Sequence, residues 1–139
     1  MEVDFAILAD AAEQANGKLS LLGGAFDTIW APNLPVVHNH LSFVVRFLFA
    51  PVELGRKHAI EVNVMDEDAK PLAKVGADLQ LGGKNPNLPA GWRQAVISIL
   101  NFQNLKFDKY GNYSFEIVVN NTSLKSVPFK VGQLVKMQS

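Results

Sequence analysis

The sequence predicts an all-β fold, namely an antiparallel two-sheet β-sandwich, Ig-like or C2-like in outline, with about eight strands. Apolar and polar residues alternate with a period of two in several separate segments, which is the pattern of half-buried strands. Turn-forming residues fall between these segments at spacings typical of a sandwich or barrel. With 139 residues and no linker or internal repeat, the chain is expected to form a single domain over residues 1–139.

The first element is ambiguous. Residues 5–15 are rich in alanine, and Asp4 and Gly17 could cap a helix at its two ends. Against a helix, Asn16-Gly17 is the strongest short hairpin signal, because both residues tolerate positive φ. Residues 18–21 then alternate as a strand does. We therefore favour a β-hairpin about Asn16-Gly17.

Two segments are predicted to be well-buried strands because neither has a fully polar face. Residues 92–102 carry apolar side chains on both faces. Residues 41–49 have one mixed face and one apolar face, which consists of Leu41, Phe43, Val45, Phe47 and Phe49.

Four further segments alternate regularly and are predicted to be half-buried strands, namely 58–64, 73–81, 113–119 and 127–131. Polar turns at 66–70 and 108–112 separate some of them. Pro128 lies in the last segment, and a proline there suits an edge strand or the start of a strand.

The composition excludes several function classes. Thirteen basic residues balance thirteen acidic ones, which argues against a nucleic-acid or anionic-membrane binder and leaves self-association unopposed by charge. The absence of cysteine excludes disulfides, thiolate nucleophiles and cysteine zinc sites. No basic region precedes the first apolar stretch. The most apolar run, 41–50, is interrupted by Arg46 and is about half a bilayer span. A cytoplasmic location is expected.

Several motifs resemble those of a family of small uncharacterised bacterial β-sandwich proteins. The opening of that family has the form LADxAE…NGKLxxLGGxxD, which residues 8–13 and 16–27 match. Residues 64–68 resemble its acidic turn, and 111–117 with 126–131 resemble its closing strands. The chain departs from the family at Asp68-Ala69, where a glycine would be more usual. The resemblance implies a β-sandwich of bacterial origin and implies no activity.

Two groups of residues are candidate metal ligands. His38 and His40 would point to the same side of an extended segment and could hold a divalent metal with His58 or an acid. Asp66 and Asp68, in the acidic turn, could chelate calcium through their oxygens. The alternative interpretation, solvated histidines and a soluble turn, is favoured because no His/Glu cluster and no EF-hand spacing supports a metal.

Two proline-containing loops form a near-repeat, WAPNLP at 30–35 and PNLPAGW at 86–92. Stiff loops lose little entropy on binding, and tryptophan is frequent at interface hot spots. If the loops lie at the same end of the sandwich, they form one apolar binding patch of Trp30, Leu34, Leu88 and Trp92. In the alternative, both tryptophans plug the ends of the core.

These observations favour a non-catalytic protein-interaction or self-associating module. The expected partner is a protein or a second copy of the chain, with no nucleic acid, membrane or cofactor. Three histidines, no cysteine, and no nucleophile-elbow or phosphate-loop context make an enzyme the less favoured class. The alternative is a calcium- or other metal-dependent domain, either a binding module or a small hydrolase, that uses the acidic turn with His38 and His40. A third hypothesis is a sugar- or ligand-binding sandwich in which the ring of Trp30 or Trp92 stacks against the ligand.

Overall fold

The computed structural model describes residues 1–80, 82 and 86–135. These residues form nine strands and one 3₁₀ turn, Pro51–Glu53, and contain no α-helix. The strands are β1 (Glu2–Ala15), β2 (Lys18–Phe26), β3 (Thr28–Ala31), β4 (Val36–Phe49), β5 (Lys57–Asp66), β6 (Pro71–Gln80), β7 (Gln94–Phe107), β8 (Gly111–Val119) and β9 (Thr122–Gln133).

The strands form a two-sheet sandwich, which confirms the predicted fold class. One sheet has four strands in the order β2-β1-β4-β7, and the other has five in the order β3-β9-β8-β5-β6. Neighbouring strands are antiparallel except β3 and β9, which pair in parallel. Among the described strands, this edge pair is the one parallel pair in an otherwise antiparallel sandwich. After β2 the chain crosses to the other sheet within one residue, and β3 forms the edge of that sheet beside β9, parallel to it.

The N-terminal segment forms the predicted hairpin. β1 and β2 pair antiparallel about Asn16 and Gly17, whose φ angles are 53° and 71°. The helical alternative for residues 5–15 is wrong. The predicted buried strand at 41–49 lies in β4, between β1 and β7, so it is central.

Proline 128 lies on β9 at a place with only one neighbouring strand. β9 pairs with β8 through Pro128 and Ser114, whereas β3 joins β9 only from Lys130 onward. The missing N–H of the proline therefore costs no ladder hydrogen bond, as an edge position allows.

Phenylalanine rings join the two sheets at the centre of the core. Phe115 of the five-stranded sheet stacks on Phe43 of the four-stranded sheet, with centroids 4.5 Å apart and planes at 13°. Phe102 of β7 meets Phe115 edge-on at 5.5 Å, and Phe129 of β9 lies 4.8 Å from it. All four rings are fully or almost fully buried. Phe115 thus contacts aromatic side chains from both sheets.

Phe115→Ala is expected to lower the free energy of unfolding by about 3–5 kcal/mol, the range for removing a fully buried phenylalanine ring. Urea denaturation followed by circular dichroism measures the loss. Met65→Ala is the matched control, since Met65 is only half-buried and points outward from the five-stranded sheet. Equal losses for the two variants would show that the ring is not central to the core.

Candidate interaction surface

The outward face of the five-stranded sheet is mainly polar, with Trp30 exposed at its β3 edge. Glu61 accepts a hydrogen bond from Asn63 at 3.1 Å and pairs with Lys74 at 3.2 Å. Glu116 accepts a hydrogen bond from Ser126 at 2.8 Å. Cross-strand polar networks of this kind are typical of a sheet face exposed to water.

The outward face of the four-stranded sheet is apolar. Residues that lie opposite each other on paired strands share a face of the sheet. Phe5 lies opposite Arg46, and Ile7 lies opposite Val44. Val44 lies opposite Ile99 on its other side. We define the outer apolar face by its six large apolar side chains, which are Phe5, Ile7, Val44, Leu48, Ile97 and Ile99.

Val44 shows how densely this face is packed. Its exposed fraction is 0%, yet it does not belong to the core cluster between the sheets. The other five members are half-buried and also lie outside that cluster. The outward side chains therefore cover Val44 and form a second apolar layer, and no third sheet among the described residues lies above it.

Two ion pairs lie at one end of the outer apolar face. Arg46 pairs with Asp4, and Arg93 pairs with Glu2. All four side chains are between 36% and 58% exposed, so these pairs contribute little to stability. The two ion pairs therefore place positively and negatively charged side chains beside Leu48.

The hairpin of β1 and β2 extends beyond the rest of its sheet. Pairing of β1 with β4 stops at Ala9 and Ser42, whereas pairing with β2 continues to the turn. We call residues 10–23 the arm. Its Leu22 is 71% exposed and lies opposite Ala11, on the side that continues the outer apolar face. A depression of about 310 Å³ lies beside these two residues.

A close contact at the base of the arm involves two residues of the LADxAE and LGG motifs. A Cβ placed on Gly23 would lie 2.2 Å from a carboxylate oxygen of Asp10, and the φ of Gly23 is +60°. A side chain at position 23 would clash and also strain the backbone. These motif residues therefore shape the arm.

The structure does not bring the predicted tryptophan patch together. The loop with Trp30 leads into Val36, which pairs with Phe107, whereas Trp92 precedes Gln94, which pairs with Phe49. The two loops therefore flank opposite ends of β4, about 40 Å apart along the strand.

The tryptophans do not plug the core either. Trp30 is 61% exposed and Trp92 is 63% exposed, while Leu34 and Leu88 are half-buried. The Trp30 ring lies across Gly132 on the parallel neighbour β9, where a Cβ would come within 2.8 Å of the ring. Trp30 thus covers a glycine at the edge of the sheet.

The two candidate histidine ligands lie on different sides of β4. His38 pairs with Leu105, which is buried in the core, and its ring lies 6.4 Å from Phe26. His40 is exposed and contacts the hydroxyl of Ser42 on the outward side at 3.3 Å. The alternation of inward and outward side chains along β4 shifts by one residue between His38 and His40. Asn104 lies opposite this point on β7 and has a φ of 55°.

The third candidate ligand, His58, is distant from both histidines. Its ring is 5.4 Å from Phe49 and hydrogen-bonds Asn120 and the Glu53 carbonyl. Phe49 is eleven residues along β4 from His38, or about 35 Å. Within residues 1–80, 82 and 86–135, no three His, Asp or Glu side chains lie close enough to hold a metal ion.

The acidic turn is organised by its own hydrogen bonds. One Asp66 oxygen accepts from the backbone N–H groups of Asp68 and Lys70, both at 2.9 Å. Ala69 takes a φ of 60° in place of the expected glycine. Asp68 is exposed, and its nearest cation is Lys109 at 4.0 Å. Asp66 thus acts as a turn cap.

A cavity of about 320 Å³ lies between this turn and the β7–β8 turn. Its charged lining consists of Asp66 and Asp108 with three lysines. Tyr113 at its wall donates a hydrogen bond to the Lys109 carbonyl at 2.7 Å. Burial raises the pKa of this phenol above its ordinary value, so it stays a donor at neutral pH.

Sequence patterns alone did not single out the outer apolar face. Its signal was present, because residues 92–102 are apolar on both sides and the 41–49 segment is mixed rather than polar on its second side. Periodicity does not say which side of a strand faces the other sheet, and strand pairing is needed for that.

The chain belongs to a family of unknown function, DUF6941, whose model matches residues 4–132. No curated protein matches the chain. Two solved structures resemble it at 14% sequence identity. A glycosyl hydrolase family 2 member from Bacteroides cellulosilyticus has a TM-score of 0.37 over 70% of this chain and 14% of its own. A family 2 β-glucuronidase has a TM-score of 0.38 over 76% and 12%.

No helix within the described part of the chain is long and apolar enough to cross a membrane.

Asp66→Ala is expected to destabilise the protein by about 1 kcal/mol per lost cap hydrogen bond, even with EDTA present. Asp68→Ala is the matched control and should change stability by less than about 0.5 kcal/mol, as expected for an exposed surface substitution. Urea denaturation measures both. A stabilising effect of calcium that either variant abolishes would instead favour the metal interpretation of the turn.

Proposed function

We propose that this chain is a non-catalytic protein-interaction module, and that its outer apolar face is the surface covered by a protein partner. The contrast between the two outward faces supports this proposal. One face of the sandwich carries hydrogen-bonded polar networks around Glu61 and Glu116, and the other carries six large apolar side chains.

The energetics favour a covered face. Contiguous apolar patches on soluble proteins mark interaction sites, since each Å² withdrawn from water stabilises by about 25 cal/mol. Half-buried Phe5 and Ile7 of β1 and Ile97 and Ile99 of β7 flank Val44 of β4, so the apolar side chains are contiguous across three neighbouring strands. Rigid strands also lose little conformational entropy when a partner docks.

The layout also resembles that of known interfaces. A typical interface has an apolar centre depleted of charge and a polar rim. Here Val44 and its neighbours form the centre, while the Asp4–Arg46 and Glu2–Arg93 pairs lie at one end. The metal-dependent alternative has no comparable support, because His38 and His40 lie on different sides of β4.

A photo-crosslinking experiment in the native cell tests the proposal. A small diazirine amino acid replaces Ile97 on the outer apolar face or, as the matched control, Met65 on the polar face. We expect a covalent protein adduct from position 97 and none from position 65. Absence of an adduct at 97, or equal adducts from both positions, would refute a partner on this face.

A further inference from the structure

We infer that two copies of this chain associate through the free edge of β6, so that the five strands of each copy join into one continuous sheet. The two-fold axis is perpendicular to the sheet, and β6 pairs antiparallel with its own copy about Gly76. This surface is separate from the outer apolar face, because β6 belongs to the other sheet. The inference therefore does not rest on the proposed function.

The outer edge of β6 is open. Within the part of the chain that the structure describes, β5 is its one partner strand, and no backbone hydrogen bond from a turn or loop reaches residues 72–80. Residues 73–80 pair with β5 without a register shift, and no proline follows Pro71 in the strand. A regular open edge presents N–H and C=O groups with which a further strand can pair.

The outward side chains of β6 are complementary to themselves in charge. Lys74 and Asp78 lie on the outward side, two residues before and two residues after Gly76. Each forms an ion pair with β5 at 3.2 Å, Lys74 with Glu61 and Asp78 with Lys57. Pairing about Gly76 puts Lys74 of one copy directly opposite Asp78 of the other, and the two-fold axis repeats this contact. Opposite charges at such positions stabilise a strand pair.

The charges select this register over its neighbours. A shift of one residue would set outward side chains against inward ones, which a sheet does not allow. A shift of two residues in either direction would place Lys74 opposite Gly76 or Gln80 of the copy. Pairing about Gly76 is therefore the symmetric register in which Lys74 faces Asp78.

Gly76 is not required by the fold of its own chain. Its φ is not positive, and a Cβ at this position would lie 3.6 Å from the Ile60 carbonyl oxygen, which is an ordinary contact. A glycine inside a strand weakens that strand and often marks a place where another backbone approaches. On the two-fold axis position 76 faces its own copy, so a glycine there keeps a side chain from meeting itself.

The inward side of β6 also gains from a second copy. Ala77 lies opposite Ile60, which belongs to the core, yet Ala77 itself is exposed. Its inward neighbours Val75 and Leu79 are only half-buried. In the proposed pairing, Val75 of one copy lies opposite Ala77 of the other and withdraws it from water.

The dimensions of this edge fit a reversible dimer. Residues 72–80 are about 30 Å long, and two sheets about 10 Å apart with their outward side chains make the side of the sandwich about 20 Å deep. β7 lies at the same side, since Leu72 and Leu105 line one cavity. The projected contact is about 600 Å² per copy, or about 1,200 Å² in total, which is the lower limit for specific association. The backbone ladder adds hydrogen bonds to this area.

The association of the full chain can be measured by sedimentation equilibrium. We expect the wild type to be half dimeric at about 10–100 µM, because the interface is small. A wild type that stays monomeric at about 500 µM, which corresponds to negligible affinity, would overturn the inference.

A charge-exchange experiment tests the register. Lys74→Asp and Asp78→Lys should each weaken dimerisation at least about fivefold, because each places like charges opposite each other twice. An equimolar mixture of the two variants should recover wild-type association, since both contacts of the mixed dimer are then opposite in charge. Lys125→Asp, an exposed position on β9 of the same sheet, is the matched control and should leave the dimer intact. A mixture that fails to recover, or an equal loss in the control, would contradict the register.

A single cysteine on the axis tests the position of Gly76. The chain has no cysteine of its own, and residues facing each other across antiparallel strands have Cα atoms about 4.5–5.5 Å apart, within reach of a disulfide. Gly76→Cys should give a covalent dimer with oxidised glutathione on a non-reducing gel. Ser114→Cys, on the central strand β8, should stay monomeric. No covalent dimer from position 76, or equal amounts from both positions, would rule out pairing about Gly76.

The outcomes separate this inference from the proposed function. The perpendicular axis keeps the same sides of the two sandwiches together, so both outer apolar faces point in one direction and stay accessible. A monomeric wild type with a crosslinked adduct at position 97 overturns the dimer and supports the interaction surface. A β6-linked dimer without that adduct supports the dimer and refutes the interaction surface.

Discussion

The stack of Phe115 on Phe43 is the contact on which the sandwich depends. It joins a strand from each sheet at a centroid distance of 4.5 Å, and Phe102 and Phe129 pack around it. Offset or edge-on aromatic pairs add about 0.5–1.5 kcal/mol beyond their buried area. Because these rings fill the space between the sheets, the inward positions of β4, β7, β8 and β9 are committed to the core.

Because the inward side chains fill the core, the outward side chains of the same strands are not needed to join the two sheets. Ile7, Val44 and Ile99 contribute nothing to the layer between the sheets, because they lie on the other side of β1, β4 and β7. Their apolar character therefore needs a different explanation, and the opposite outward face shows that this fold can be built with a polar exterior. The arm also extends beyond its pairing with β4. An isolated two-stranded hairpin of this kind is only marginally stable in water.

The fold could be predicted from local signals, whereas the candidate surface could not. Asn16-Gly17 fixes the first hairpin through backbone preference alone, and alternation locates the core of β4 at Leu41 to Phe49. The assignment of His38 and His40 to one side failed because alternation shifts where Asn104 takes a positive φ.

The tryptophan patch failed for a related reason. A short shared motif says nothing about distance in space, and fourteen residues of β4 separate the loops of Trp30 and Trp92. The outer apolar face likewise depends on strand order, which links residues far apart in sequence. Local sequence patterns predict where the strands lie, whereas long-range strand pairing determines which side chains meet on a surface.

The parallel pairing of β3 with β9 has a consequence for the order of folding. It joins Thr28 to Lys130 and Ala31 to Gln133, about a hundred residues apart in the chain. Contacts of such separation form slowly, because a long loop must close before any pairing energy is gained. The β8–β9 hairpin can form locally beforehand, so β3 is expected to add to it late. Until then the β9 edge stays open, and the ring of Trp30 covers Gly132 only when this step is complete.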